Sequence, residues 1–137
     1  MRNYKLLPHT ADIRLYVEAD TLEELFKGAL NGMCDIIKKD ASSVKVETES
    51  KMIEIEALDI TSVLIDFLSE VLEFCQEEGN IYCRTKILTL NDTSIKAEIF
   101  GREAEGFDRD VKAVTYHNAE IKKNEKGNFE VTIVFDI

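Results

Sequence analysis

The chain has 137 residues, 45% of them apolar and 32% charged, with a net charge of −10; that suits one globular domain with its own core. The acidic balance argues against a broad nucleic-acid-binding surface, because phosphate recognition is driven by lysine and arginine, and leaves open only a local basic contact. No apolar run reaches the length of a membrane span, and no basic stretch followed by an apolar one opens the chain, so neither a membrane segment nor a signal peptide is expected and the expected location is cytoplasmic.

Residues 3 to 7 and 12 to 18 read as two short strands, with the only proline, Pro8, between them, where a missing N–H does least harm. His9 and Asp12 lie in this junction. As plain turn chemistry, Asp12 accepts backbone N–H bonds; as a site, a histidine and a carboxylate stand at the mouth of an apolar strand. Thr21 and Glu24 then have the spacing of a capping box. The helix they open carries Leu22, Leu25, Phe26, Ala29, Met33, Ile36 and Ile37 in steps of three and four, one continuous apolar face. Lys38 and Lys39 close its last turn, where cations suit the dipole.

Residues 44 to 49 and 52 to 57 alternate as strands and predict a hairpin across Glu49-Ser50-Lys51. Asp59 offers a cap for a second helix, with a stripe from Ile60 to Cys75 and with Gly79 placed to end it. The acids on its other side (Asp66, Glu70, Glu73, Glu77) read as a solvated face rather than a metal site. Strands at 81 to 90 and 94 to 100 pair across Asn91-Asp92-Thr93. Strands at 111 to 121 and 129 to 137 pair across 125 to 128. Between these hairpins, residues 101 to 110 are charged and bracketed by glycine, which predicts a mobile loop and a candidate partner contact. The order predicts a single α+β domain over residues 1–137, two amphipathic helices packed on a mostly antiparallel β-sheet.

Cys34, Cys75 and Cys83 form no C-x-x-C pair, and read as buried, reduced thiols rather than a zinc site. There is no Gly-rich phosphate loop, dinucleotide fingerprint or G-x-S-x-G elbow, so self-contained nucleotide hydrolysis is not expected.

On the last strand, Phe129, Val131, Ile133, Phe135 and Ile137 alternate onto one face, which places Asp136 on the other. If the first and last strands are close, Asp12, Asp136 and the terminal carboxylate of Ile137 form an all-oxygen cluster. Such donors suit calcium, magnesium or manganese, and His9 or His117 beside them would tilt preference toward manganese or zinc. A frayed terminus with solvated acids is the plain alternative. Lys112 stands one residue into a strand; it reads either as a surface lysine or as a phosphate or partner-carboxylate contact.

The segments His9-Thr10-Ala11-Asp12, Asp20-Thr21-Leu22-Glu23-Glu24-Leu25-Phe26, Val111-Lys112-Ala113-Val114-Thr115-Tyr116-His117 and Phe135-Asp136-Ile137, in this order and spacing, resemble the archease family over essentially the whole chain. The resemblance implies an accessory factor rather than an enzyme. Its partner would be the GTP-dependent RNA ligase of the RtcB type, which joins exons in tRNA splicing, and its role to promote guanylylation of the ligase histidine and repeated turnover. It also implies that Asp12 and Asp136 are a metal-binding pair and that Lys112 is the essential basic residue. Two further readings are a stand-alone metal-dependent phosphoesterase and a chaperone-like binding module that needs neither metal nor Lys112.

Overall fold

The structure is a computed structural model that describes residues 2–7 and 12–137. Two antiparallel sheets share a core with two helices. Strands β1 (Arg2–Leu7), β2 (Asp12–Ala19), β8 (Phe129–Asp136) and β6 (Ala113–Thr115) lie side by side in that order, and the two-residue β7 (Lys122–Lys123) also pairs with β8. The second sheet is β3 (Glu49–Glu56), β5 (Ser94–Glu103) and β4 (Asn80–Asn91), with β5 in the centre. Helix α1 (Leu22–Ile37) packs on β1 and β2 of the first sheet and on β4 of the second; α2 (Ile60–Glu78) packs on β3, β4, β5 and β6. The expected α+β class holds. The single sheet becomes two, because period-two alternation reveals the faces of a strand and not which strands share a ladder.

Both helices begin as their sequences predict. The Thr21 hydroxyl accepts from Glu24 N–H at 3.1 Å, and the Asp59 carboxylate accepts from Ser62 N–H at 2.8 Å. Gly79 ends α2 in the left-handed region, φ 71°, where a side chain would be strained. The Ser62 amide holds the Asp59 carboxyl below its ordinary value of 3.8. Its contribution to stability is therefore present above that ordinary value and lost as pH falls through the depressed one. Asp59→Ala is expected to lower the thermal midpoint at pH 7, and the gap from wild type should close at acid pH, read by parallel melts.

Helix α1 stops at Ile37, two residues before Lys39, the last residue of the expected final turn. Lys38 is the C-cap, and the segment after β5 takes the free end of the helix. Asp108 and Arg109 N–H both donate to Ile37 C=O, at 2.8 and 3.3 Å. Lys39 N–H donates to the Asp108 carboxylate at 2.8 Å, and Lys38 Nζ donates to Gly106 C=O at 3.2 Å. Phe107 packs on the core. The predicted mobile loop at 101 to 110 is thus partly strand, through Glu103, and partly a clasp on the orphan carbonyls of α1.

Two strand predictions are corrected. Residues 44 to 48 are not a strand; β3 runs straight through the predicted turn at 49 to 51. Val44 and Val46 alternate but remain exposed, in a segment with no regular structure. The long strand at 111 to 121 is reduced to three residues. Asn118 has φ 56°, which breaks the ladder, and α2 draws the chain away: Thr61 Oγ1 accepts from Ile121 N–H at 3.0 Å, and the Tyr116 hydroxyl donates to Asp66.

The three cysteines are buried and free. Burial pushes the Cys75 thiol up to about 12 and Cys34 well above its ordinary value, so both are held as unreactive thiols. No described helix is long and apolar enough to cross a membrane.

Candidate functional site: a carboxylate pair across the central strands

The register of β2 on β8 sets Asp12 directly opposite Asp136. On the other side of β8, Ala113 of β6 is opposite the same Asp136. Just before β6, Lys112 N–H donates to Asp136 C=O at 2.8 Å. Asp12, a hundred or more positions from the other two, therefore meets Lys112 and Asp136 at one end of the first sheet. The placement is firm. Phe135, fully buried, pairs with Ile13 on one side and Val114 on the other. Val111 is buried, and its C=O accepts from Gln76 Nε2 at 2.6 Å. Lys112 is thus anchored to β8 through its own N–H and to α2 through its neighbour, with its side chain exposed. A frayed terminus does not describe this strand.

Asp12, Arg14, Tyr16 and Glu18 of β2 share the outer face with Glu130, Thr132, Val134 and Asp136 of β8. This face carries two acid pairs, one at each end, about 20 Å apart along the strand. The Glu18–Glu130 pair is answered inside the fold by neutral donors. Asn124 and Asn128 side-chain amides donate to Glu18 at 2.6 and 3.1 Å, and the Tyr16 hydroxyl donates to Glu130 at 3.0 Å. These amides hold the Glu18 carboxyl below its ordinary value, while burial and Glu130 push the Tyr16 hydroxyl up to about 12. The Asp12–Asp136 pair is answered differently. Arg14 Nε lies 4.0 Å from Asp12 Oδ1, and Asp136 faces solvent. Like charges directly opposite on adjacent strands repel.

Oxygen donors of this kind fit a hard divalent cation. Among the described residues, no group of three or more His, Cys, Asp or Glu side chains is arranged to hold one. The pair supplies two carboxylates, and Ile137, 40% exposed, adds main-chain oxygens one residue further on. His9 lies outside the described residues. His117 lies in the turn after β6, with its N–H donating to Thr115 Oγ1 and its ring beside the Asn118 amide. Two contributors were missed in the sequence. Alternation along β2 could have flagged Arg14, two residues from Asp12 on the same face. Nothing local signals Gln76, whose partner is 35 positions away.

The family model described as Archease protein family (MTH1598/TM1083) matches residues 4–137. The chain belongs to the archease family. It is 31% identical to protein archease of Methanosarcina mazei over 99% of this chain and 97% of that one, and 32% identical to protein archease of Thermococcus kodakarensis over the whole of both. The solution structure of protein 1598 of Methanobacterium thermoautotrophicum superposes with TM-score 0.77 at 25% identity, covering 98% of each chain. An archease from Thermotoga maritima, described as a possible chaperone, shares the fold with TM-score 0.62 at 21% identity, covering 97% of this chain and 96% of that one. The α+β architecture with its two antiparallel sheets is therefore that of the archease family.

Proposed function

We propose that this archease is a cytoplasmic accessory activator of a GTP-dependent RNA ligase of the RtcB type in tRNA splicing. It promotes guanylylation of the ligase histidine and so sustains multiple turnover, without being an enzyme itself. The observation that supports this most is the register that brings Asp12, Asp136 and Lys112 to one sheet end. In this reading Asp12, Asp136 and the oxygens of Ile137 hold a divalent cation: calcium, magnesium or manganese. The bound cation supplies positive charge where a nucleotide's phosphates gather. Lys112, tied to Asp136 C=O through its own N–H, carries its exposed ammonium from the same sheet end, as a contact to phosphate or to a partner carboxylate. Arg14 neutralises Asp12 while the cation is absent.

Two tests follow from the geometry. A small, substoichiometric amount of the protein is expected to convert single-turnover ligation by the cognate ligase into multiple turnover, and Lys112→Ala to lose that effect while melting like wild type. A Lys112→Ala protein that sustains turnover fully would remove the lysine from the mechanism. Arg14→Gln is expected to tighten cation binding by up to about fivefold, since a rival surface charge worth at most about 1 kcal/mol is gone; calorimetric titration with manganese reads it.

The chaperone-like reading draws on the description of the Thermotoga maritima neighbour. It predicts that suppression of aggregation survives both chelator and Asp136→Ala.

A further inference from the structure

A second polar site lies where α1, the chain after it and β4 meet. The cavity, about 230 Å³, is lined by Arg2, Lys27, Lys45 and Arg84, with Glu47 as its one carboxylate. Acids outnumber bases by 27 to 17 in the whole chain, so a lining of four cations to one acid reverses the balance of the molecule. We propose that this pocket binds a phosphate group, with Glu47 as an internal anion that the phosphate displaces from Arg84.

The geometry around Arg84 carries the argument. Its guanidinium carbon lies 4.0 Å over the centre of the Phe100 ring, a cation–π contact that holds the group against β5. The fork grips Glu47 with both carboxylate oxygens, Nε at 3.0 and 2.8 Å and Nη2 at 2.8 Å. A bidentate carboxylate is the closest side-chain likeness to a phosphate oxygen pair. Glu47 sits on residues 44 to 48, which have no regular structure and are tied at the ends by Val44 N–H to Ala41 C=O and Thr48 N–H to Gly101 C=O. It can leave without breaking a helix or a ladder. Arg2 is already engaged, with Asn31 at 3.2 Å and Glu24 at 3.7 Å. Lys27 and Lys45 are therefore the cations that would meet the newcomer alongside Arg84. The cavity is smaller than the ~300–1,000 Å³ usual for a whole drug-sized ligand. It suits a phosphate group whose remainder stays outside, either from a free nucleotide or from an RNA chain.

The inference does not rest on the ligase reading, and its test uses the isolated protein. Binding is measured for inorganic pyrophosphate, GTP, a single-stranded oligoribonucleotide and poly-glutamate. Lys27→Gln/Lys45→Gln is expected to weaken phosphate binding about tenfold or more, and Glu47→Gln to tighten it. Lys122→Gln/Lys126→Gln, an equal charge change on β7 and the turn after it, outside the pocket's lining, should leave it unaltered. Tight pyrophosphate and GTP binding would make the source a free phosphate or nucleotide; tight RNA with weak pyrophosphate would make it an RNA phosphate. The proposal is overturned if no phosphate probe saturates wild type or Glu47→Gln. It is overturned equally if the two double variants behave alike, or if poly-glutamate binds as tightly as the phosphates, which would mark an acidic protein partner.

Discussion

Asp136→Ala is expected to lose divalent-cation binding while melting at or slightly above the wild-type temperature in the absence of cation. The side chain is exposed, and its register neighbours among the described residues are Asp12 and Ala113. Removing it relieves a like-charge pair across β2 and β8 and leaves Phe135 to hold the strand. The cation reverses the order. At a free concentration a hundredfold above its dissociation constant, wild type gains about 2.7 kcal/mol, and the variant gains none. For a chain of this size that is a shift of about 9 °C. Thermal melts with and without manganese read both halves of the prediction. A variant stabilised by manganese as much as wild type would put the cation elsewhere.

The largest loss of stability expected from a single methyl group is at Gly101. A Cβ there would lie 2.1 Å from Ile81 C=O and 2.7 Å from the Tyr82 ring. Gly101 is paired with Tyr82 at the irregularity where β4 slips on β5. The nearest obstacle is backbone, so no rotamer change relieves it; β4 itself must move. Gly101→Ala is expected to cost about 3 kcal/mol, or about 10 °C in melting temperature. The neighbouring Thr48 N–H bond to Gly101 C=O should loosen with it, and hydrogen exchange across β4 and β5 would show the slip. A melt unchanged within a degree or two would mean that the strands part without cost.

The helices were legible because their signals are local. Thr21 and Glu24, Asp59 and Ser62, and Gly79 act within one turn, and the apolar stripes of α1 and α2 became their buried faces. The strands were legible one at a time. Val44 and Val46 alternate as well as Ile53 and Ile55 do, yet only the second pair has a neighbouring strand, β5, to place it in the core. The run 111 to 121 contains apolar residues throughout its length, but Asn118 and the contacts to Thr61 and Asp66 are what end its ladder, and those partners lie on α2.

The candidate site divides the same way. Alternation along the last strand put Asp136 off the core face, which the structure bears out through buried Phe135 and Ile133. Its meeting with Asp12 depends on the order β2–β8–β6, a non-local choice that no spacing encodes. Lys112 reaches the same end through a main-chain bond, invisible in side-chain chemistry. The clasp of residues 104 to 110 on α1 was hidden for a similar reason: it answers orphan carbonyls of Ile36 and Ile37, and a sequence shows side chains, not unsatisfied backbone.

The most direct measurement is guanylylation of the cognate RtcB-type ligase with GTP and manganese, without this protein, with wild type and with Asp136→Ala. Strong stimulation by wild type and none by a folded Asp136→Ala is the expected result, and it would join the carboxylate pair to the activation. Equal stimulation by both would contradict the carboxylate mechanism, and no stimulation by either would contradict the role as ligase activator.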